Sequence, residues 1–158
     1  MIVVETNHYP FVLINAHGPQ TEADYVKVFA ATEALGRRAR DQKTRHVSIT
    51  IGEPELSARD RVFVARQAAS TPKELEAVMV ASYVVADSAM LRGVLTALRW
   101  LAPSLATIQP VASIEGAMSA AGAAFDGARI AVDPGKVRDA RNWLLERARE
   151  NRAATRRS

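Results

Sequence analysis

The chain contains no cysteine, which excludes a disulfide framework, a thiolate metal site and a cysteine nucleophile, and fits a reducing compartment. Only three histidines are present, leaving little material for a histidine-rich metal centre. Apolar runs are strand-sized and none approaches the roughly 20 residues of a membrane helix. The start, Met1 to Pro10, lacks a basic segment followed by a hydrophobic stretch, so the expected location is the cytoplasm. No G-x-x-x-x-G-K, G-x-G-x-x-G or G-x-S-x-G occurs, and phosphate cradles and a nucleophile elbow have no sequence support. What is present is a chain of 158 residues, 48% hydrophobic, enough for one domain burying roughly two-thirds of its extended surface. The net charge of +4 is uneven: residues 136–158 carry eight basic and three acidic side chains, and the rest of the chain sums to −1. That distribution describes a near-neutral globule with a basic C-terminal segment able to touch an anionic partner.

Periodicity gives an alternating α/β order. Met1–Tyr9 and Phe11–Gly18 read as two strands joined by a turn at Tyr9-Pro10. Thr21 and Asp24 form a capping box for a helix over about 22–42, with Tyr25, Val28, Phe29, Thr32 and Leu35 at helical spacing. His46–Ile51 is a strand, Gly52-Glu53-Pro54-Glu55 a break, and Ser57 with Asp60 a second capping box before a helix over 58–69. Thr71-Pro72 ends that helix, and the apolar run Val78–Ala86 predicts a central strand. Asp87 and Ser88 both suit a cap, and Leu91, Val94, Leu95, Leu98 and Leu101 form a helical stripe that Pro103 stops. Thr107–Ala112 is a short strand and Glu115–Ala124 a helix. Pro134 starts a last helix with Val137, Ala140, Leu144 and Ala148 as its apolar stripe, and Asn151–Ser158 should fray. Helical crossovers between the later strands call for a single-domain mixed β-sheet flanked by helices.

Candidate site residues are few. Glu5 and His8, three apart in an expected strand, would point to opposite faces and make a poor dyad. His17, beside Gly18, suits an acid or base at a sheet edge, or a local loop hydrogen bond; His46 at a strand start is expected on the surface. Glu53, Glu55 and Asp60 supply oxygen ligands of the kind Mg²⁺ takes, but solvation and a helix dipole explain them as well, so no metal or cofactor is expected. Ser57 is a helix N-cap where a phosphate would meet backbone amides. Arg59, Arg61, Arg66, Arg92 and Arg99 offer guanidinium forks on two helices. Trp100 suits a core edge or a subunit interface, and Trp143, about 120° off its helix's stripe, a partner contact.

The segment DSAMLRGVLTALRWLAP, Asp87 to Pro103, preceded by VMVASYVV and followed by PVASIEGAM, resembles a group of uncharacterised bacterial proteins with a STAS-like domain, the fold of sulfate-transporter cytoplasmic domains and anti-sigma-factor antagonists. Its distinctive part is R-G-x-L-T-A-L-x-W-L-x-P from Arg92 to Pro103. The resemblance implies a STAS-like domain over residues 1–125, with helices on one side of the sheet, followed by a helical extension over 126–152 and a flexible basic tail over 153–158. It also implies a phosphorylatable serine after the third strand, for which Ser57 is the nearest match, in ELSARD rather than a D-S-S-G-like motif. Related STAS-like proteins also resemble CRAL-TRIO lipid carriers, which implies a groove for an apolar ligand. The resemblance and the charge distribution together give three expected functions. The first is a non-enzymatic regulatory or scaffolding module, homodimeric and acting through protein contacts at Arg92, Arg99, Trp100 and Trp143. The second is a carrier of a small apolar molecule or lipid beneath the third helix. The third is a tail that binds nucleic acid or an anionic membrane.

Overall fold

The computed structural model describes residues 2–70, 73, 77–86, 88–101 and 107–156, and leaves out the side chains of Met90, Leu98, Arg99 and Leu101. The Thr71-Pro72 stop, the Asp87 cap and the Pro103 stop therefore lie outside the described residues. Strands β1 (Ile2–Glu5), β2 (Phe11–Ala16), β4 (His46–Ile51), β6 (Met79–Val85) and β7 (Ile108–Val111) form one sheet in the order β1-β2-β4-β6-β7. β1 runs antiparallel to β2 and the other neighbours are parallel. The protein is thus an α/β fold built on a mixed five-stranded sheet. The two-residue strands β3 (Gly18–Pro19) and β5 (Pro54–Glu55) pair with each other just beyond the ends of β2 and β4.

Five helices are described: α1 (Glu22–Asp41), α2 (Ala58–Ala69), α3 (Ala89–Leu101), α4 (Ile114–Gly127) and α5 (Pro134–Thr155). Both expected capping boxes form, with Thr21 and Ser57 each accepting from the backbone N–H three residues on. Ser88 Oγ accepts from Leu91 N–H at 3.1 Å at the start of α3. Each new parallel strand is added on the same side of its predecessor, and crossovers of one hand in one direction place their helices on one face. α1, α2 and α3 accordingly lie in a row. Helices α4 and α5 pack on the opposite face, so the sheet is covered on both sides, unlike the one-sided arrangement that the family resemblance implies.

Register sorts the core. Leu13, Ile49 and Tyr83 are successive partners across three strands, as are Phe11 and Val47; partners share a face, and these residues form the main core with Phe125 of α4 and Ala140 and Leu144 of α5. Phe11 meets Phe125 edge-on at 5.2 Å between ring centroids, and Tyr83 Oη donates to Ala120 O at 3.1 Å. The other face pairs Ser48 with Ser82 and Thr50 with Val84, and a second cluster of Ala65 and Ala68 with Phe29 sits between α2 and α1.

Three expectations need correction. The first strand ends at Glu5, because Thr6 to Pro10 turns, with Tyr9 N–H donating to Thr6 O and Phe11 N–H to His8 O. The last helix runs to Thr155, past the expected start of fraying at Asn151, and its Ala140 and Leu144 are fully buried. Through these residues α5 packs into the main core. His46, expected on the surface, is 2% exposed. The neighbouring chain segments close over it, His46 N–H donating to Val78 O and Val47 N–H to Pro10 O.

Gly52 shows how closely the strand ends approach. It adopts φ +101°, and a Cβ there would collide with the carbonyl of Ala16. Only glycine tolerates both conditions. Gly52→Ala should cost at least about 1–3 kcal/mol from backbone strain, read as a lower denaturation midpoint; an unchanged midpoint would show that β2 and β4 can separate here without loss.

Candidate functional site

At the carboxyl ends of β4 and β6 a cleft of about 470 Å³ opens between the sheet, the start of α4 and the last turns of α5. Open parallel sheets commonly receive ligands on this side. The floor is apolar: Ile51 ends β4, Val85 ends β6, Ile114 opens α4, and Leu145 and Ala148 project from α5. The rim carries His17, Glu53, Glu115, Asn151, Arg152, Thr155 and Arg156.

Polar contacts hold the walls in place. Asn15, 3% exposed in an otherwise apolar strand, exchanges amide hydrogen bonds with Asn151 of α5 at 2.8 and 3.3 Å. A buried amide satisfied in this way fixes the strand end against the helix. Thr155 Oγ1 donates to Asn151 O at 3.1 Å and lies 3.2 Å from His17 Nε2, so the last turn of α5 is tied to the end of β2. On the other wall Ser113 Oγ caps α4 by accepting from Gly116 N–H at 3.0 Å, and Arg141 reaches Glu115 at 3.3 Å.

The expected site residues are scattered. Glu53 reaches the cleft rim, but Glu55 lies in β5 and the Asp60 carboxylate is held by Ser57, whose hydroxyl donates to it at 2.6 Å. Among the described residues no group of three His, Asp or Glu side chains gathers as a metal site would. Glu5 accepts from Asn7 N–H and His8 sits in the following turn, so the two do not share a strand. Arg59 pairs with Glu22 at 2.8 Å, joining the starts of α2 and α1. Arg92 donates to Ala86 O at 3.0 Å, and the Arg99 side chain lies outside the described residues. Trp100 is 85% exposed. Trp143, expected as a partner contact, is half-buried against the main core, with the Arg147 guanidinium 5.5 Å from its ring.

Pronounced pKa shifts fall on groups away from the cleft. Burial, with Asp60 and Asp24 adding to it, raises the Tyr25 hydroxyl to about 12. Burial also raises Tyr83 and lowers His46 to about 4.

Sequence reading missed the cleft because its walls come from five separated segments. Two signals were present: a polar Asn15 inside FVLINA, and a glycine directly after β4. Comparison with protein-family models, with curated proteins and with solved structures returned no match.

Proposed function

We propose that this protein is a non-enzymatic, STAS-like binding module that holds a small amphipathic molecule in the cleft between β4, β6, α4 and α5. The carrying observation is the pairing of an apolar floor with a polar, arginine-bearing rim in one cavity of about 470 Å³, the size and composition of small-ligand sites generally. Arg152 and Arg156 stand on the rim with Glu53 and Glu115, so the charge there is balanced, and the guanidinium forks on the α5 side suit a ligand whose polar end is a carboxylate, sulfonate or phosphate. The cleft lies on the face of the sheet that α4 and α5 cover, so this proposal seats the ligand there and not beneath the third helix.

Titration with anilinonaphthalene sulfonate, an apolar body with one anionic group, tests this reading. Fluorescence should rise and saturate at one probe per chain. Ala148→Phe, which fills the floor, should weaken binding by about tenfold or more, equivalent to about 1.4 kcal/mol, with the thermal midpoint held. Non-saturating fluorescence, or equal affinity in the filled variant, would reject the cleft as the seat.

Trp100 supports a second reading, a regulatory or scaffolding module working through protein contact. A tryptophan 85% exposed on a helix leaves a large apolar surface in water, and such side chains are enriched at interfaces. Sedimentation of the native chain and of Trp100→Ala separates the cases: a dimer that the substitution dissociates supports contact through α3, and a monomer in both removes self-association from it.

A further inference from the structure

The outward side of α5 is divided by charge. At 3.6 residues per turn, Arg138, Arg141, Arg149, Arg152 and Arg156 fall within a sector of about 80°, and all five are exposed. Asp139, Glu146 and Glu150 fall together in a separate sector, about 60° from the nearest arginine of the row. Surface helices ordinarily interleave the two signs three or four residues apart, where they attract. Here Arg138 and Arg141, Arg149 and Arg152, and Arg152 and Arg156 occupy those spacings as like charges, an arrangement unfavourable in isolation and relieved by an external anion. Arg141 is partly engaged by Glu115 and Arg138 by Asp139. Arg149, Arg152 and Arg156 form no ion pair among the described residues. The row extends about 27 Å along a single helix, far longer than one small anion.

We propose that the arginine row of α5 is a docking surface for the phosphate backbone of a nucleic acid, bound without regard to sequence. A linear series of guanidinium groups matches a linear series of phosphates in charge and in geometry. A membrane surface fits less well, because a helix lying on lipid presents a broad apolar face, and the apolar face of α5, Ala140 and Leu144, is buried in the core. The row shares Arg152 and Arg156 with the rim of the small-molecule cleft, so a phosphate backbone on the row and an anion seated in the cleft compete for these two side chains.

Fluorescence anisotropy of the whole chain with a labelled DNA duplex about 20 base pairs long tests the proposal. With five phosphate contacts, affinity should fall about 500-fold between about 50 and about 200 mM salt. The combined Arg149→Gln, Arg152→Gln and Arg156→Gln variant retains two contacts, and its affinity should fall only about 12-fold over the same range. All three positions are exposed and the substitutions relieve like-charge spacings, so its thermal midpoint should be no lower than the native one. Arg37→Gln with Arg40→Gln on α1 should keep the native salt slope. Absence of binding at low salt, a native slope in the triple variant, or an equal loss in the α1 variant overturns the proposal. Preferential capture by phosphatidylserine vesicles or by polyglutamate over the duplex also overturns it, assigning the row to a membrane or to an acidic protein.

Discussion

Replacing Leu144 by alanine is expected to destabilise the protein by about 2–5 kcal/mol, the range for deleting a large aliphatic side chain from a packed core. Leu144 is fully buried and belongs to the cluster that includes Phe11, Ile49 and Phe125, so its removal leaves a void where α5, α4 and the sheet meet. Urea denaturation measures the effect, with an unchanged slope indicating that the unfolded reference is the same. The size of the loss distinguishes two views of the C-terminal segment. A helix that merely extends a complete domain would fray locally and leave the global transition alone. A helix that completes the core would lower the midpoint of the whole domain, and the burial of both Ala140 and Leu144 specifies that result.

The second large effect is a loss of stability in acid. His46 is 2% exposed, its Nδ1 finds no hydrogen-bond partner among the described residues, and burial lowers its pKa to about 4 from an ordinary 6.5. Above pH 6.5 the ring is neutral in the folded and unfolded chains alike, and the group leaves stability independent of pH. Between 6.5 and about 4 the unfolded chain binds a proton that the folded chain refuses, so stability falls as pH falls. At 1.36 kcal/mol for each pH unit, the total reaches about 3 kcal/mol. His46→Leu removes the titrating group. Stability measured by urea at pH 7 and near pH 4 should decline by about 3 kcal/mol less in the variant than in the native chain. Equal declines would mean that His46 is protonated within the fold.

Elements whose signals are local were legible in the sequence. The helix over 58–69 matches its observed bounds because Ser57 and Asp60 mark its start unambiguously. Of the expected stripe Val137, Ala140, Leu144 and Ala148, the middle two are buried and Ala148 packs against the core, while Val137 at the first turn of α5 is exposed. Properties set by distant segments were not legible. His46 looks like a polar strand start until the turn at Pro10 and the residue before β6, Val78, are placed on either side of it. The pairing of Gly18-Pro19 with Pro54-Glu55 follows from the parallel alignment of β2 and β4 and has no periodic signature of its own. The same is true of the cleft. Asn15 and Asn151 are 136 residues apart, and nothing in either neighbourhood announces the other. Sequence could show that α5 is basic; its structure shows which arginines share a side and that two of them reach the rim.

The cleft at the carboxyl ends of β4 and β6 is proposed here as a ligand seat. Its most direct test is a native mass spectrum of the protein purified from its own host, beside that of Ala148→Phe prepared in the same way. The native chain should carry the extra mass of one small molecule and the filled variant none. The bare chain mass in both preparations, or an adduct retained equally by the variant, would contradict it.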